Sequence, residues 1–165
     1  MSPPAQVEVL PATFDQMPIL ANLLQLYAHD FSEFHDVELD AAGRFHYAPL
    51  SLYWSDPGRH PFLVKLHGKP AGFVLVKKES SVWDMAEFFV VRGCRRRGLG
   101  TAIAHNVWRR FPGPWEVRVI ETNHAALQFW ERAISEFSGA PIKPTCLEKG
   151  GRLWQRFAFD SRSAR

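Results

Sequence analysis

The stretch RRRGLGT, Arg95 to Thr101, places three arginines ahead of two glycines one residue apart and a threonine. The letters fit either a basic patch that meets nucleic acid or a backbone turn that holds a phosphate. The flanking sequence separates the two. Upstream, Val82–Val91 (VWDMAEFFVV) has the β-branched and aromatic content of a strand. Downstream, Leu99, Ile103, Val107 and Phe111 recur at every fourth position, which predicts an amphipathic helix ending at FPGP. The glycines therefore stand where a strand passes into a helix. A helix N-terminus has backbone N–H groups without intrahelical partners and carries partial positive charge. Glycine lets that backbone come close to an anion, and a pyrophosphate is the natural ligand. A P-loop would need a lysine before Thr101, and a dinucleotide fingerprint would need glycine where Ile103 stands. A surface turn with incidental arginines is the plainer alternative.

Working outward, His60–Leu66 and Phe73–Lys78 read as two more strands, joined by the turns HGKPAG and ESS into an antiparallel meander. Gln6–Leu10 reads as a short strand. Asp15 is placed as an N-cap, with Pro18 in the first turn of a helix whose face is Met17, Leu20, Leu24, Tyr27, Phe31 and Phe34, broken near Asp30. Within Ala41–Asp56 only PLSLYW suggests a short helix, and SDPGRHP a turn. Trp115–Ile120 alternates as a strand. Asn123 is positioned to cap a helix carrying Ala126, Leu127, Trp130, Ala133 and Ile134, which Ser138 and Gly139 end. Ile142–Leu147 and Leu153–Phe159 read as two last strands around EKGG. The order predicts an α/β layered domain with a mixed, mostly antiparallel sheet flanked by helices.

The chain has 165 residues, 46% of them apolar, which suits one domain over 1–165 with frayed ends at 1–5 and 160–165. A formal net charge of +3 is too small to argue for nucleic acid. No apolar run approaches the roughly 20 residues of a membrane helix. MSPPAQVEVL lacks the pattern of a signal peptide, and Cys94 and Cys146 form no metal or disulfide motif, so a cytoplasmic, metal-free protein is expected. The charge is uneven: His29–Asp40 (HDFSEFHDVELD) holds five carboxylates and no Lys or Arg, whereas Arg92–Arg97 holds four arginines.

RRRGLG, Arg95–Gly100, resembles the acetyl-CoA signature (Gln/Arg)-x-x-Gly-x-(Gly/Ala) of the GNAT acetyltransferase superfamily. EFFVVRGC is similar to that family's fourth strand, and NHAALQFWER resembles its later Asn-x-x-Ala-x-x-Phe-Tyr segment. Within the superfamily the chain looks most like bacterial predicted acetyltransferases. The resemblance implies the acyl-CoA N-acyltransferase fold, a single splayed sheet in which acetyl-CoA lies where Met85–Val91 and Trp115–Ile120 part. It implies that the backbone of Phe89, Val90 and Val91 pairs with the pantetheine, as a strand edge does with an added strand. It implies that Arg95, Arg96, Arg97, Gly98, Leu99, Gly100 and Thr101 hold the pyrophosphate, that an arginine among them meets the 3′-phosphate, and that Asn123 and Phe129 flank the cofactor arm. Asn123 as a plain helix cap and Phe129 as core are the alternatives.

Acetyl transfer to an amine needs a proton acceptor, a donor to the thioester oxygen and a proton for the leaving thiolate. Glu87, in the apolar run MAEFFV, is the candidate base, because desolvation raises a carboxyl pKa toward neutrality. A carboxylate paired with a neighbouring Arg is its alternative. Asp84 is a second, weaker candidate, and the Val90 N–H is implied as the donor to the carbonyl. Trp130 stands where relatives carry a tyrosine that protonates the thiolate, which leaves Tyr27, Tyr47, Tyr53 or water. Asp30, Glu33, Asp36 and Glu38 suggest a cationic acceptor, and Phe45, Tyr47, Tyr53 and Trp54 suggest its walls. The expectation is an acetyl-CoA-dependent N-acetyltransferase acting on a primary amine of a small molecule or protein. A non-catalytic acyl-CoA sensor stays open, as does a nucleic-acid binder using Arg92, Arg95, Arg96, Arg97, Arg109 and Arg110. No membrane partner is expected, and a homodimer stays open.

Overall fold

The computed structural model describes residues 6–95 and 98–164. Strands β2 (Arg59–Leu66), β3 (Lys69–Glu79) and β4 (Val82–Val90) form the expected antiparallel meander, and β1 (Val7–Pro11) adds to it by pairing antiparallel with β2. Strand β5 (Pro114–Ile120) joins β4 in parallel, and β6 (Thr145–Lys149) and β7 (Arg152–Asp160) complete a seven-stranded sheet of order β1-β2-β3-β4-β5-β7-β6. Helices α1 (Met17–Phe31) and α2 (Leu52–Ser55) cover one face, where Leu20, Leu24 and Tyr53 pack on Leu63, Phe73, Leu75 and Phe89. Helices α3 (Leu99–Arg110) and α4 (His124–Ser138) cover the other, where Ile103, Val107, Trp108 and Ile134 pack on Val74, Val76, Trp115 and Phe157. The two-residue alternation of the strands supplies both cores at once.

Several boundaries differ from the sequence reading. Strand β3 begins at Lys69 rather than Phe73, because His67 and Gly68, both at positive φ, make the turn by themselves. Strand β6 begins at Thr145 rather than Ile142: Pro144, which has no N–H to donate, precedes it, and Ile142 packs against the core instead. Asp15 is not a cap. It lies inside a short 3-10 turn ahead of α1, closed by the Gln16 side chain accepting from the Thr13 N–H at 3.0 Å. The end at 160–164 is not frayed either. Residues Ser161–Ser163 form a turn, and the buried Ser161 hydroxyl accepts from the Gly113 N–H at 3.0 Å. Residues 1–5 lie outside the described residues.

Two irregularities set the shape of β4 and of its junction with β5. Glu87 pairs with Leu75, but the next pair is Met85 with Val76, so Ala86 is an extra, bulged residue. A regular strand would send residues three apart to opposite faces. The bulge instead turns Asp84 and Glu87 into one cavity, while Met85 and Phe88 share the α3/α4 face. The second irregularity is the join to β5, where only Trp83↔Trp115 and Asp84↔Glu116 pair. Beyond Asp84 the strands part, although β4 runs on to Val90 and β5 to Ile120. The join is tied by Arg118 donating to the buried Asp84 at 2.8 Å.

That tie yields a test. Arg118→Met should lower stability at neutral pH by about 3 kcal/mol, since it strands a buried carboxylate. The loss should shrink as Asp84 is protonated in acid, and the added change Asp84→Asn should restore most of it. Equal stability of Arg118→Met and the parent protein in denaturant titrations at pH 7 would show that the pair does not hold the join.

Candidate active site

The turn into α3 is built by Gly98, whose φ of 70° is the left-handed conformation that glycine adopts without strain. The first-turn residues Leu99, Gly100 and Thr101 follow. The Ala102 N–H is the first to close back, onto the Gly98 carbonyl at 3.1 Å. Its N–H groups and the positive end of the helix dipole thus have no side-chain cap and no first-turn acid among the described residues. Gly100 has a second reason to be glycine: a Cβ there would lie 2.9 Å from the Phe129 ring of α4. Phe129 in turn packs at a tilt against Phe88 and edge-to-face with Trp130, at 5.8 and 4.8 Å between ring centres.

The arginines around the turn have definite partners. Arg95 donates through Nε to the Val90 carbonyl at 2.7 Å and through Nη2 to Asp30 at 2.8 Å, and Arg92 also donates to Asp30 at 2.8 Å. Burial works to raise the Asp30 pKa, but the two guanidinium groups outweigh it and hold the carboxyl below its ordinary value. The end of α1 is therefore fastened to the chain entering α3. Arg96 and Arg97 lie outside the described residues. Arg109 stacks on Phe137, and Arg110 lies over Phe62 and donates to the Val9 carbonyl. The described arginines do not gather into one basic face.

Asn123 caps α4, its Oδ1 accepting from the Ala126 N–H at 3.1 Å. Phe89 faces α1 beside Tyr27, Val90 faces α3 and α4, and Val91 donates its N–H to Ala71 at 2.8 Å. From Glu87 to Val90, β4 pairs with no strand but β3; on its other side, which faces the gap, the Val90 carbonyl accepts from Arg95.

On the α1/α2 face a cavity of about 330 Å³ opens beside this gap, with Glu87, Asp84, Tyr47 and Tyr53 among its walls. The Tyr47 hydroxyl donates to the Glu87 carboxylate at 3.2 Å. Burial pushes the Glu87 pKa from 4.5 up to about 7, against the pull of hydrogen bonds from Tyr27 and Tyr47. Burial and then the charge of Glu87 drive the phenols the other way from acidity: Tyr27 and Tyr47 rise well above their ordinary value, and Tyr53 to about 12. All three therefore hold their protons more tightly than an ordinary phenol. Asp84 is also raised by burial, with Arg118 opposing.

The acidic run HDFSEFHDVELD does not reach this cavity. Asp30 is taken by Arg92 and Arg95, Asp36 pairs with Arg152 at 3.1 Å, and Glu33 and Glu38 are exposed. The cations that do line it, Arg59, Lys77 and Arg118, were not singled out by sequence. The alternation in WEVRVI holds a signal for Arg118, an outward residue in a central strand. Ala86 gives none.

The sequence model of the acetyltransferase (GNAT) family matches residues 20–134. The chain belongs to the GNAT acetyltransferase family. No curated protein matches it. The GNAT fold is met again in an acetyltransferase from Thermus thermophilus, at 18% identity and a TM-score of 0.68, covering 94% of this chain and 97% of that one. A spermidine N-acetyltransferase from Vibrio cholerae in complex with CoA and spermine aligns at 12% identity and a TM-score of 0.65, covering 96% and 97%. A GNAT acetyltransferase from Elizabethkingia anophelis with acetyl-CoA bound aligns at 11% and 0.63, covering 93% and 97%. The described residues include no helix long and apolar enough to cross a membrane.

Glu87 makes a measurable demand on this GNAT domain. A carboxyl raised from 4.5 to about 7 contributes stability that is fully present below pH 4.5 and is lost as pH rises through about 7. Glu87→Gln, which stays neutral, should lose on the order of 3 kcal/mol less than the parent over that interval. Parallel stability–pH curves for the two proteins in urea titrations would contradict the shift.

Proposed function

We propose that the protein is an acetyl-CoA-dependent N-acetyltransferase that delivers the acetyl group to a primary amine by direct attack on the thioester. The observation that carries this is the placing of Glu87 beside the gap that opens after Asp84, with the uncapped α3 turn at the far end of the same strand. The open edge of β4 suits the amides of pantetheine, and the first turn of α3 suits the pyrophosphate. Membership of the family and the CoA complexes of the related folds support the donor.

Glu87 accepts the proton that the amine must lose, directly or through one water. With a pKa of about 7 it is largely ionised just above neutrality and still basic enough to act. The new C–N bond forms as the C–S bond breaks, and the electron pair leaves on sulfur. A thiolate of ordinary pKa near about 8.5 departs without a dedicated acid, which fits the buried indole of Trp130 and the non-acidic phenols. The proton held by Glu87 balances the thiolate. The Val90 N–H, beside the gap, is assigned to the carbonyl oxygen. A pure sensor would have no use for a desolvated carboxyl at this point.

Two variants separate binding from chemistry. Glu87→Gln should bind CoA as the parent does, turn over about 10²- to 10⁴-fold more slowly, and lose the limb of the pH–rate profile that rises through about 7. A parent-like rate would remove Glu87 from the mechanism. Gly100→Glu should abolish CoA binding by calorimetry, whereas Gly100→Ala, which meets the same Phe129 ring without the charge, should retain most of it. Loss in both alike would mean that packing, not the anion site, is what the glycine protects.

A further inference from the structure

The cavity beside Glu87 has a charge pattern that the transfer reaction itself does not require. Four neighbouring strands send charged side chains to it, and four of these stand in a row. Arg59 on β2 is the register partner of Lys77 on β3, Lys77 is the partner of Asp84 on β4, and Arg118 on β5 is bonded to Asp84. The row reads plus, plus, minus, plus. Glu87 is the other acid in the wall. Asp84 is satisfied by Arg118 inside, and Glu87 receives tyrosine hydroxyls.

Inside the cavity the Arg59 guanidinium lies over the Tyr53 ring, but the remaining acidic partners of the cations stand outside it. Arg59 reaches Asp56 through Nε at 3.2 Å, Lys77 reaches Glu79 at 3.3 Å, and Arg118 reaches Glu116 through Nε at 3.4 Å. The side chains of Asp56 and Glu79 are 46% and 68% exposed, and such pairs hold a cation only weakly. Among the described residues, both terminal nitrogens of Arg59 and Nη1 of Arg118 have no hydrogen-bond acceptor. A guanidinium fork with free ends matches a carboxylate. A second ammonium, as in a polyamine, would instead meet three cations. The volume of about 330 Å³ is at the low end for small-molecule sites, roughly 300–1,000 Å³, and suits one compact molecule.

We infer that the acceptor is an amino-acid-like molecule whose carboxylate is held by the row Arg59–Lys77–Arg118 while its amine faces Glu87. The inference rests on the acetyltransferase reading above and names the substrate class of that site.

The test compares amino acids with their primary amides as acceptors, using acetyl-CoA and following thiol release and product mass. The amide resembles a peptide N-terminus, with an amine pKa of about 7.7–8.0, so it offers ample neutral amine near pH 8. A preference for the amide's chemistry alone would therefore show itself. The expected result is that at least one amino acid is used tenfold or more better than its amide in kcat/KM. Arg59→Gln should reduce that ratio about tenfold, mainly through KM, with Arg59→Lys partly restoring it. Equal use of each pair, or a preference for amides or for spermidine, would overturn the inference while leaving acetyl transfer intact. If no amine is acetylated, the transfer reading fails. Calorimetry of the same pairs on the CoA-loaded protein then decides: tighter binding of the amino acid supports the carboxylate site, and equal binding overturns it.

Discussion

The ion pair between Arg118 and Asp84 marks the point on which the rest of the structure turns. On one side of it β4 and β5 are a sheet; on the other they are two separate edges. A buried carboxylate without its guanidinium would cost several kcal/mol, so the join is fixed at this level. The strands part beyond it instead of pairing along their length. Everything proposed for the site depends on that. On the proposed reading, the gap offers a strand edge to an extended, amide-bearing arm, and the α3 turn offers N–H groups to the phosphates at the far end.

The bulge at Ala86 adds a second condition. It changes which face Glu87 addresses, and so places an acid against Tyr27 and Tyr47 and away from the bulk of the water. The two effects on this carboxyl oppose one another. Desolvation raises its pKa, the hydroxyls lower it, and the balance falls near the pH at which a base works well. The same desolvation makes the phenols poor acids, so one microenvironment both lifts the carboxyl toward neutrality and tightens the hold of the phenols on their protons.

Much of this was legible in the sequence for definite reasons. The four-residue recurrence from Leu99 and the glycines on either side of it marked the strand-to-helix turn, and the apolar setting of Glu87 marked a desolvated acid. Strand order through the meander followed from its short turns. The remainder depends on contacts between distant parts of the chain. Nothing near Asp30 shows that Arg92 and Arg95 will claim it, so the acidic run read as a lure for a cation. The bulge at Ala86 leaves no compositional trace, and Arg59, Lys77 and Arg118 become neighbours only through register. The last turn, Ser161–Ser163, looked frayed because its anchor at Gly113 is far away in sequence.

The central claim is that Glu87 is a desolvated base at the parting of two strands. Carboxyl-carbon NMR titration of glutamate-labelled protein, with Glu87→Gln used to assign the signal, tests it most directly. A midpoint near 7 for Glu87 is the predicted result. A midpoint at the ordinary glutamate value, near about 4.3, would contradict the account.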